Sequence, residues 1–521
     1  MDRLRRIFLS SQRGLHGAVF ALITATVLSQ ILALFRDRLL AGTFGIGDAL
    51  DVYYAAFRIP DLVFVSVASL FSGAVIIPFL SERIDDREYA TALLSSLVRA
   101  FLGLMAVVLA IIFVLMPLLA PLLAPGFEAN QYEHLVLFAR ILLLSPLLLG
   151  LSGIFAGATQ AYRHFVLFSL TPVLYNIGII GGIVLLVPRM GVLGVVWGVI
   201  VGALLHVGIQ IPVMVKHTLL RKSARVPVGA IMRTSIPRTI ALSLTQLQVI
   251  VLTAFASLFS AGSIATFQFA FNLQSIPLSL IGVSYSLAAF PLLSVLWARA
   301  AHDDFLRDVR RAEGHVIVWS LLLTGLFIVL REHIVSVVLG VGAVATGDIA
   351  LIAGTLSFFA LSLVPQGLTL LYTRAFYAAR HTAIPLVAGF AGVAVALTIA
   401  FTFAFGSTLP VAILAIAFSA GSFTTMVILM IMFRVRIGEL SFASLWLHSV
   451  VATLVCAGIT VYLIALYARF FDMKTIAGEF TGGLFAGLGG LLLAIVYMYC
   501  VRVQPVCELA AAIVRKWRHL Q

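Results

Sequence analysis

Charge is what this sequence lacks. Only 11% of its 521 residues are charged and 62% are hydrophobic, whereas a soluble domain carries about 25% charged residues. Cysteine is nearly absent as well. Cys456, Cys500 and Cys507 are the only three, which excludes a disulfide framework or a cysteine metal site and leaves them as packing residues. The eleven histidines are scattered without a credible third ligand, so no metal and no cofactor is expected. There is no Gly-x-x-x-x-Gly-Lys-Ser/Thr loop to cradle ATP and no Gly-x-Ser-x-Gly elbow. An enzyme is not expected. Any transport has to draw on an ion gradient, the membrane potential or substrate flux.

What is present is a succession of long apolar runs. A helix needs about 20 apolar residues to cross the hydrocarbon core, and bare backbone is not tolerated in lipid outside helices or closed barrels. The runs fall at 15–40, 50–80, 91–120, 134–159, 165–187, 192–215, 231–259, 263–297, 314–339, 348–376, 382–405, 410–433, 445–468 and 481–502. They predict an all-α membrane protein of about 14 transmembrane helices. The longest breaks, Lys216 to Ala230 and Arg299 to Glu313, hold 15 residues each, too few for a soluble domain. The first run follows Arg3, Arg5, Arg6 and Arg13. It is too long for a signal peptide and reads as a retained span.

The net charge of +13 would suggest nucleic acid in a soluble protein. Here the basic residues sit in the breaks, so they read as topology signals and contacts to anionic membrane lipids, with no nucleic acid. Basic and nearly charge-free breaks alternate. Lys216, Arg221, Lys222, Arg225, Arg233 and Arg238 cluster at one break, and Arg299, Arg307, Arg310 and Arg311 at another. Placing these inside puts both termini in the cytoplasm. The tail, 508–521, spaces Leu509, Ile513 and Trp517 by four beside Arg515, Lys516 and Arg518. That predicts a basic amphipathic helix on the inner leaflet.

The chain repeats itself. Ala56-Phe57-Arg58-Ile59 precedes Pro78 to Ser81, and Ala270-Phe271-Asn272-Leu273 precedes Pro291 to Ser294, at offsets of 214 and 213. Ala161-Tyr162-Arg163-His164 recurs as Ala378-Ala379-Arg380-His381 at an offset of 217. Six spans separate the copies, so both run the same way across the membrane. The expected organisation is two parallel six-helix lobes, 1–225 and 226–438, with an added helix pair and tail at 439–521. Transporters built this way hold substrate between the repeats.

Polar residues within spans are functional candidates by default. The densest group is Arg36, Asp37, Arg38, Asp51, Arg58 and Asp61. Asp51 and Arg58 stand two helical turns apart and so share a face, and Pro60 interrupts the helix beyond them. One reading is a net-cationic wall of a water-filled cavity, with arginine forks gripping a phosphate. The other is an interfacial cluster paired internally or snorkelling to water. Thr245, Gln246 and Gln248 in the seventh span, and Gln268, Asn272 and Gln274 in the eighth, either bind sugar or peptide groups or join helices. Asn176 and Gln366 read as interhelical contacts, and Arg140 is open.

The chain resembles the MurJ/MviN family of lipid II flippases, within the superfamily of multidrug, oligosaccharidyl-lipid and polysaccharide exporters. The resemblance is carried by Phe35-Arg36-Asp37, Phe44-Gly45, Asp51, Phe57-Arg58-Ile59-Pro60, Ala124-Pro125-Gly126-Phe127, Thr171-Pro172-Val173-Leu174-Tyr175-Asn176, and Phe376-Tyr377-Ala378 with Thr382 and Pro385. It implies two lobes around a cavity and a final helix pair forming a lipid-tail groove. It also implies translocation of the undecaprenyl-pyrophosphate-linked precursor lipid II across the cytoplasmic membrane by alternating access. Arg36 and Asp51 match family cavity residues. The family has further arginines where this chain has Gln30, Val65 and Asn272. The substrate-binding set implied is Arg36, Asp51, Arg58, Arg38, Gln30 and Asn272, with Asp51 paired to an arginine. Lipid II is the expected partner, cell-wall synthesis proteins are candidate partners, and a monomer is expected. The missing arginines leave two alternatives open: an ion-coupled drug or solute exporter, and a non-transporting scaffold.

Overall fold

The structure is a computed structural model that describes residues 15–71, 76–77, 79–80, 86–217, 226, 228–403, 410–438, 443–472 and 475–518. Outside them lie Arg3, Arg5, Arg6, Arg13, Pro78, Ser81, Arg221, Lys222 and Arg225. So do the side chains of Arg233, Arg238, Ile513, Arg515, Lys516, Trp517 and Arg518. The chain is 88% helical with no strand among the described residues. Among the described residues, eleven helices are long and apolar enough to cross a membrane, or twelve if the bent pair Thr346–Ala360 and Leu363–Ala378 forms one span. The expected fourteen is therefore not reached on those criteria. Helices Leu15–Phe44 and Gly229–Ala256, of 30 and 28 residues, stand where the first and seventh spans were expected.

Contacts divide the chain into two compact units, Met1–Ala265 and Thr266–Gln521. In the first, helices Phe165–Gly181 and Val192–Gly208 pack through glycines. A Cβ on Gly178 would strike the Gly202 backbone, and one on Gly182 would strike Gly198. Small residues four apart let membrane helices close to backbone contact, where dispersion replaces the missing hydrophobic drive. In the second unit Gly392 and Gly421 make the same kind of contact between Ala383–Phe403 and Pro410–Arg436. Its core includes Phe305, Tyr372, Phe376 and Phe433, with Phe433 set edge-on to Tyr372 at 5.2 Å and to Phe376 at 5.8 Å.

One expected loop is a helix. Residues Arg299 to Glu313 were read as a break, yet the span helix His302–Val329 begins within them. Asp303 and Asp304 occupy its first turn, where carboxylates favour the positive end of the helix dipole.

The duplicated motif at 161–164 and 378–381 has one geometry in both copies. Arg163 and Arg380 each take a left-handed backbone, φ 59 and 62. The next residue closes a six-residue turn in each: His164 N–H donates to the Thr159 carbonyl at 2.9 Å, and His381 N–H to Phe376 at 2.8 Å. Both are helix ends of the type that usually places glycine at the left-handed position. Replacing Arg163 with Gly is expected to raise the thermal midpoint of the purified protein, a gain of about 1 kcal/mol. A lowered midpoint would show that the arginine side chain stabilises the turn by more than its backbone strain.

Arg140, left open by sequence, has a backbone task. Helix Arg87–Leu123 contains Pro117, which has no N–H to offer the carbonyl of Phe113 four residues earlier. Arg140 Nε donates to that carbonyl at 3.0 Å, and its guanidinium lies 4.5 Å from the Phe113 ring centre. Arg140→Ala should destabilise the fold by about 1–3 kcal/mol. In a Pro117→Ala background the helix supplies its own donor, so the same substitution should cost less in a thermal-unfolding cycle. Equal losses in both backgrounds would refute the role.

Candidate functional site

The site grows from helix Leu15–Phe44, which packs along Phe165–Gly181 in the first unit. It ends at Gly45, whose φ of 68 needs no Cβ and whose N–H closes on Ala41 at 2.8 Å. One side chain, Arg36, makes three hydrogen bonds to two groups. Its Nε and Nη2 donate to one carboxylate oxygen of Asp37 at 2.9 and 2.7 Å, and its Nη1 donates to Asn176 Oδ1 at 3.1 Å. Neighbouring helix residues do not ordinarily face each other. The pair forms because the long Arg36 side chain folds back over Asp37.

Asn176 was read as an interhelical contact and makes one, to Arg36 and Ser29. Its Nδ2 reaches Ser29 Oγ at 3.3 Å and the Pro172 carbonyl at 3.1 Å, which fixes Oδ1 toward Arg36. Upstream, Pro172 leaves the Phe168 carbonyl without its helical partner, and Thr171 Oγ1 supplies one at 2.8 Å. The Thr-Pro-x-x-x-Asn run thus relieves a proline and aims an amide.

The second polar segment is broken. Helices Asp48–Ala56 and Arg58–Ser66 meet at Phe57. Pro60 lies in the first turn of the second helix, where its missing N–H does no harm, and it cannot bond the Ala56 carbonyl. Asp51 and Arg58 stand on either side of this one-residue break, and both are buried. Arg58 is buried and interacts with Asp61 and Tyr54. Tyr53, Tyr54 and Tyr175 lie within electrostatic range of Arg36.

Asp51 pairs with no arginine among the described residues. Both its oxygens accept backbone N–H groups, from Gly262 at 2.8 Å and Ala265 at 2.7 Å, at the start of the helix that begins at Ser263. Its carboxylate is a helix cap supplied from a distant segment. Nor is the cluster net-cationic: Arg36, Arg38 and Arg58 are matched in number by Asp37, Asp51 and Asp61. Arg38 and Gln30 are half-buried on the Arg36 helix. In the second unit Gln268 Nε2 donates to Asn272 Oδ1 at 2.6 Å, which places them on the expected common face.

Two contacts escaped the sequence reading. Ser66 meets Ser243 and Ser69 meets Thr239, each at 2.9 Å, joining the broken segment to helix Gly229–Ala256. Isolated hydroxyls carry no spacing signal. Ala124-Pro125-Gly126-Phe127 is likewise structural. A side chain on Gly126 would overlap the Ser257 carbonyl, and its N–H donates to Ser257 Oγ at 3.2 Å. The second unit also holds an apolar groove of about 330 Å³ between the Arg331–Leu339 helix and Ile476–Cys500, lined by Leu326, Ile334, Phe480, Leu484 and Leu488.

The family model for lipid II flippase MurJ matches residues 40–480. The chain belongs to the MurJ family. Relatives include the lipid II flippase MurJ of Burkholderia cenocepacia, 26% identical over 60% of this chain and 61% of that protein. The probable lipid II flippase MurJ of Bdellovibrio bacteriovorus is 28% identical over 74% of this chain and 75% of its own length. The match thus spans about three fifths of the Burkholderia relative and three quarters of the Bdellovibrio one. Among solved structures, a lipid II flippase MurJ in an inward closed conformation superposes with a TM-score of 0.75 at 20% identity, covering 92% of this chain and 99% of that one. An inward-facing multidrug transporter of the MATE family gives 0.67 at 15%, covering 78% and 94%. These likenesses establish the fold. Membership of the MurJ family, with eleven or twelve helices among the described residues long and apolar enough to cross a membrane, makes this a multi-pass inner-membrane protein.

Proposed function

We propose that this chain translocates lipid II across the cytoplasmic membrane by alternating access, with Arg36 as the principal phosphate ligand. The observation that carries the reading is the Arg36 fork: a guanidinium on helix Leu15–Phe44, which stands where the first span was expected, 20% exposed, held by Asp37 and hydrogen-bonded to Asn176. Such a group is expensive to place in lipid and is retained where an anion is handled. Translocation on this reading is an exchange of anions. A pyrophosphate displaces Asp37 from Arg36, binds through two parallel hydrogen bonds, and is released when Asp37 returns.

Around that centre the remaining assignments take graded roles. Arg38, Arg58, Gln30 and Asn272 contribute headgroup contacts, and Asp51 holds the local architecture. The apolar groove beside Ile476–Cys500 takes a lipid tail. The protein acts without covalent catalysis, as a monomer, with both termini in the cytoplasm and in reach of cell-wall synthesis proteins. Its working parts are lobes 1–225 and 226–438, with 439–521 as the tail-binding pair. The test is complementation of a flippase-deficient strain, read together with the leaflet distribution of lipid II. Rescue with normal outer-leaflet lipid II supports the reading. Failure of a well-accumulated wild-type chain to rescue sinks it in favour of a drug exporter or scaffold.

A further inference from the structure

The last span, Ile476–Cys500, ends in a tight turn from which helix Gln504–Arg518 departs. Arg502 sits in that turn with a left-handed backbone, φ 57. The turn is closed by Val503 N–H on the Met498 carbonyl at 2.8 Å and Arg502 N–H on Tyr499 at 3.1 Å. Glycine would take this position without strain.

Arg502 lines a cleft of about 320 Å³ together with Arg310, Arg311, His448, Gln504 and Glu508. Three guanidiniums thus face one carboxylate. That carboxylate is already engaged: Glu508 accepts from Arg311 Nε at 2.7 Å, His315 Nε2 at 3.3 Å and Gln504 Nε2 at 2.9 Å. Burial would push Glu508 up, but hydrogen bonds from Gln504, Arg311 and His315 outweigh it and hold the group below the usual carboxylate range. Glu508 therefore stays ionised near neutrality and neutralises Arg311. Arg310 and Arg502 form no salt bridge among the described residues. Arg310 senses the Glu313 carboxylate only at longer range. Two guanidiniums sharing a cleft repel each other unless an anion bridges them.

We propose that this cleft binds the phosphate of an anionic membrane lipid. Phosphate matches two guanidinium forks. A lipid is favoured over a soluble phosphate because Leu445 and Val501 also line the cleft. Leu492, Leu493 and Val496 are exposed along the span that leads to it, an apolar track for acyl chains. Basic pockets between membrane helices recognise headgroups in this way. The occupant is distinct from the translocated substrate, since none of these residues belongs to the Arg36 cluster.

The test is native mass spectrometry of the full-length protein in detergent with phosphatidylglycerol, with phosphatidylcholine, and with phosphatidylglycerol plus inorganic phosphate. The wild type should retain phosphatidylglycerol over phosphatidylcholine. Arg502→Gly removes the charge while relieving the turn, so its thermal midpoint should hold or rise as retention falls about fivefold. Adding Arg310→Gln should take the loss to about 30-fold. The basic residues of the tail remain in both variants and control for general attraction to anionic lipid. Equal retention by the wild type and the double variant would overturn the site. Displacement of the lipid by millimolar inorganic phosphate would overturn the choice of a lipid and identify a soluble phosphate as the occupant.

Discussion

Arg36→Ala is expected to abolish rescue of a flippase-deficient strain and to lower lipid II translocation by about 10–100-fold, the loss of a charge-assisted contact worth roughly 1.5–3 kcal/mol. The single variant takes both Arg36 hydrogen bonds from Asp37, which is buried, 4% exposed. Removing one partner of a buried ion pair destabilises strongly, so failure to rescue has to be separated from failure to accumulate. Arg36→Ala with Asp37→Ala removes both charges together. That double variant should accumulate at wild-type levels in the membrane and still not rescue. Rescue by it would show that Arg36 is not the phosphate ligand. Arg36→Lys should retain only weak activity, because an ammonium is a point charge that cannot span Asp37 and Asn176 as a planar fork does. Asp37→Asn separates binding from turnover. It leaves Arg36 without its competing anion, so lipid II should be held more tightly and released more slowly.

Helix content and most span positions were legible because a bilayer forces long apolar runs into helices and leaves little else to decide. The charged beginning of helix His302–Val329 was not, since it projects beyond the apolar window and looks like a loop by composition. Within the site, Arg36 was legible because a guanidinium inside an apolar run has few innocent explanations. Its partners were not. Nothing in the spacing says that Arg36 folds back on its neighbour or that Asn176, 140 residues away, aims an amide at it. The shared face of Asp51 and Arg58 was an inference from helical periodicity, which says nothing of the interruption at Phe57 or of the partners that each side chain takes. The motifs at 161–164 and 378–381 matched only faintly in sequence, and their arginines share a left-handed turn that the chain also uses at Ala300 and Arg502.

Asp51 caps a helix where an ion pair was expected. Two buried amides, from Gly262 and Ala265, end on its carboxylate. Each left unsatisfied costs about 1–3 kcal/mol, so Asp51→Ala should destabilise by roughly 3 kcal/mol and lower the thermal midpoint in detergent by several degrees. Asp51→Asn keeps one acceptor and turns an amide donor toward a backbone donor, so it should fall between. Gly262 is constrained as well. Its φ is 86, and a Cβ there would come within 2.8 Å of the Ile46 carbonyl oxygen. Gly262→Ala therefore combines left-handed strain with a backbone clash, and should destabilise about as much as Asp51→Ala. Because both variants disrupt the same cap, their effects should be strongly less than additive when combined. Asp51→Ala and Arg36→Ala, lying in separate networks, should add. Strong coupling between Asp51 and Arg36 would restore the ion-pair switch and overturn the cap.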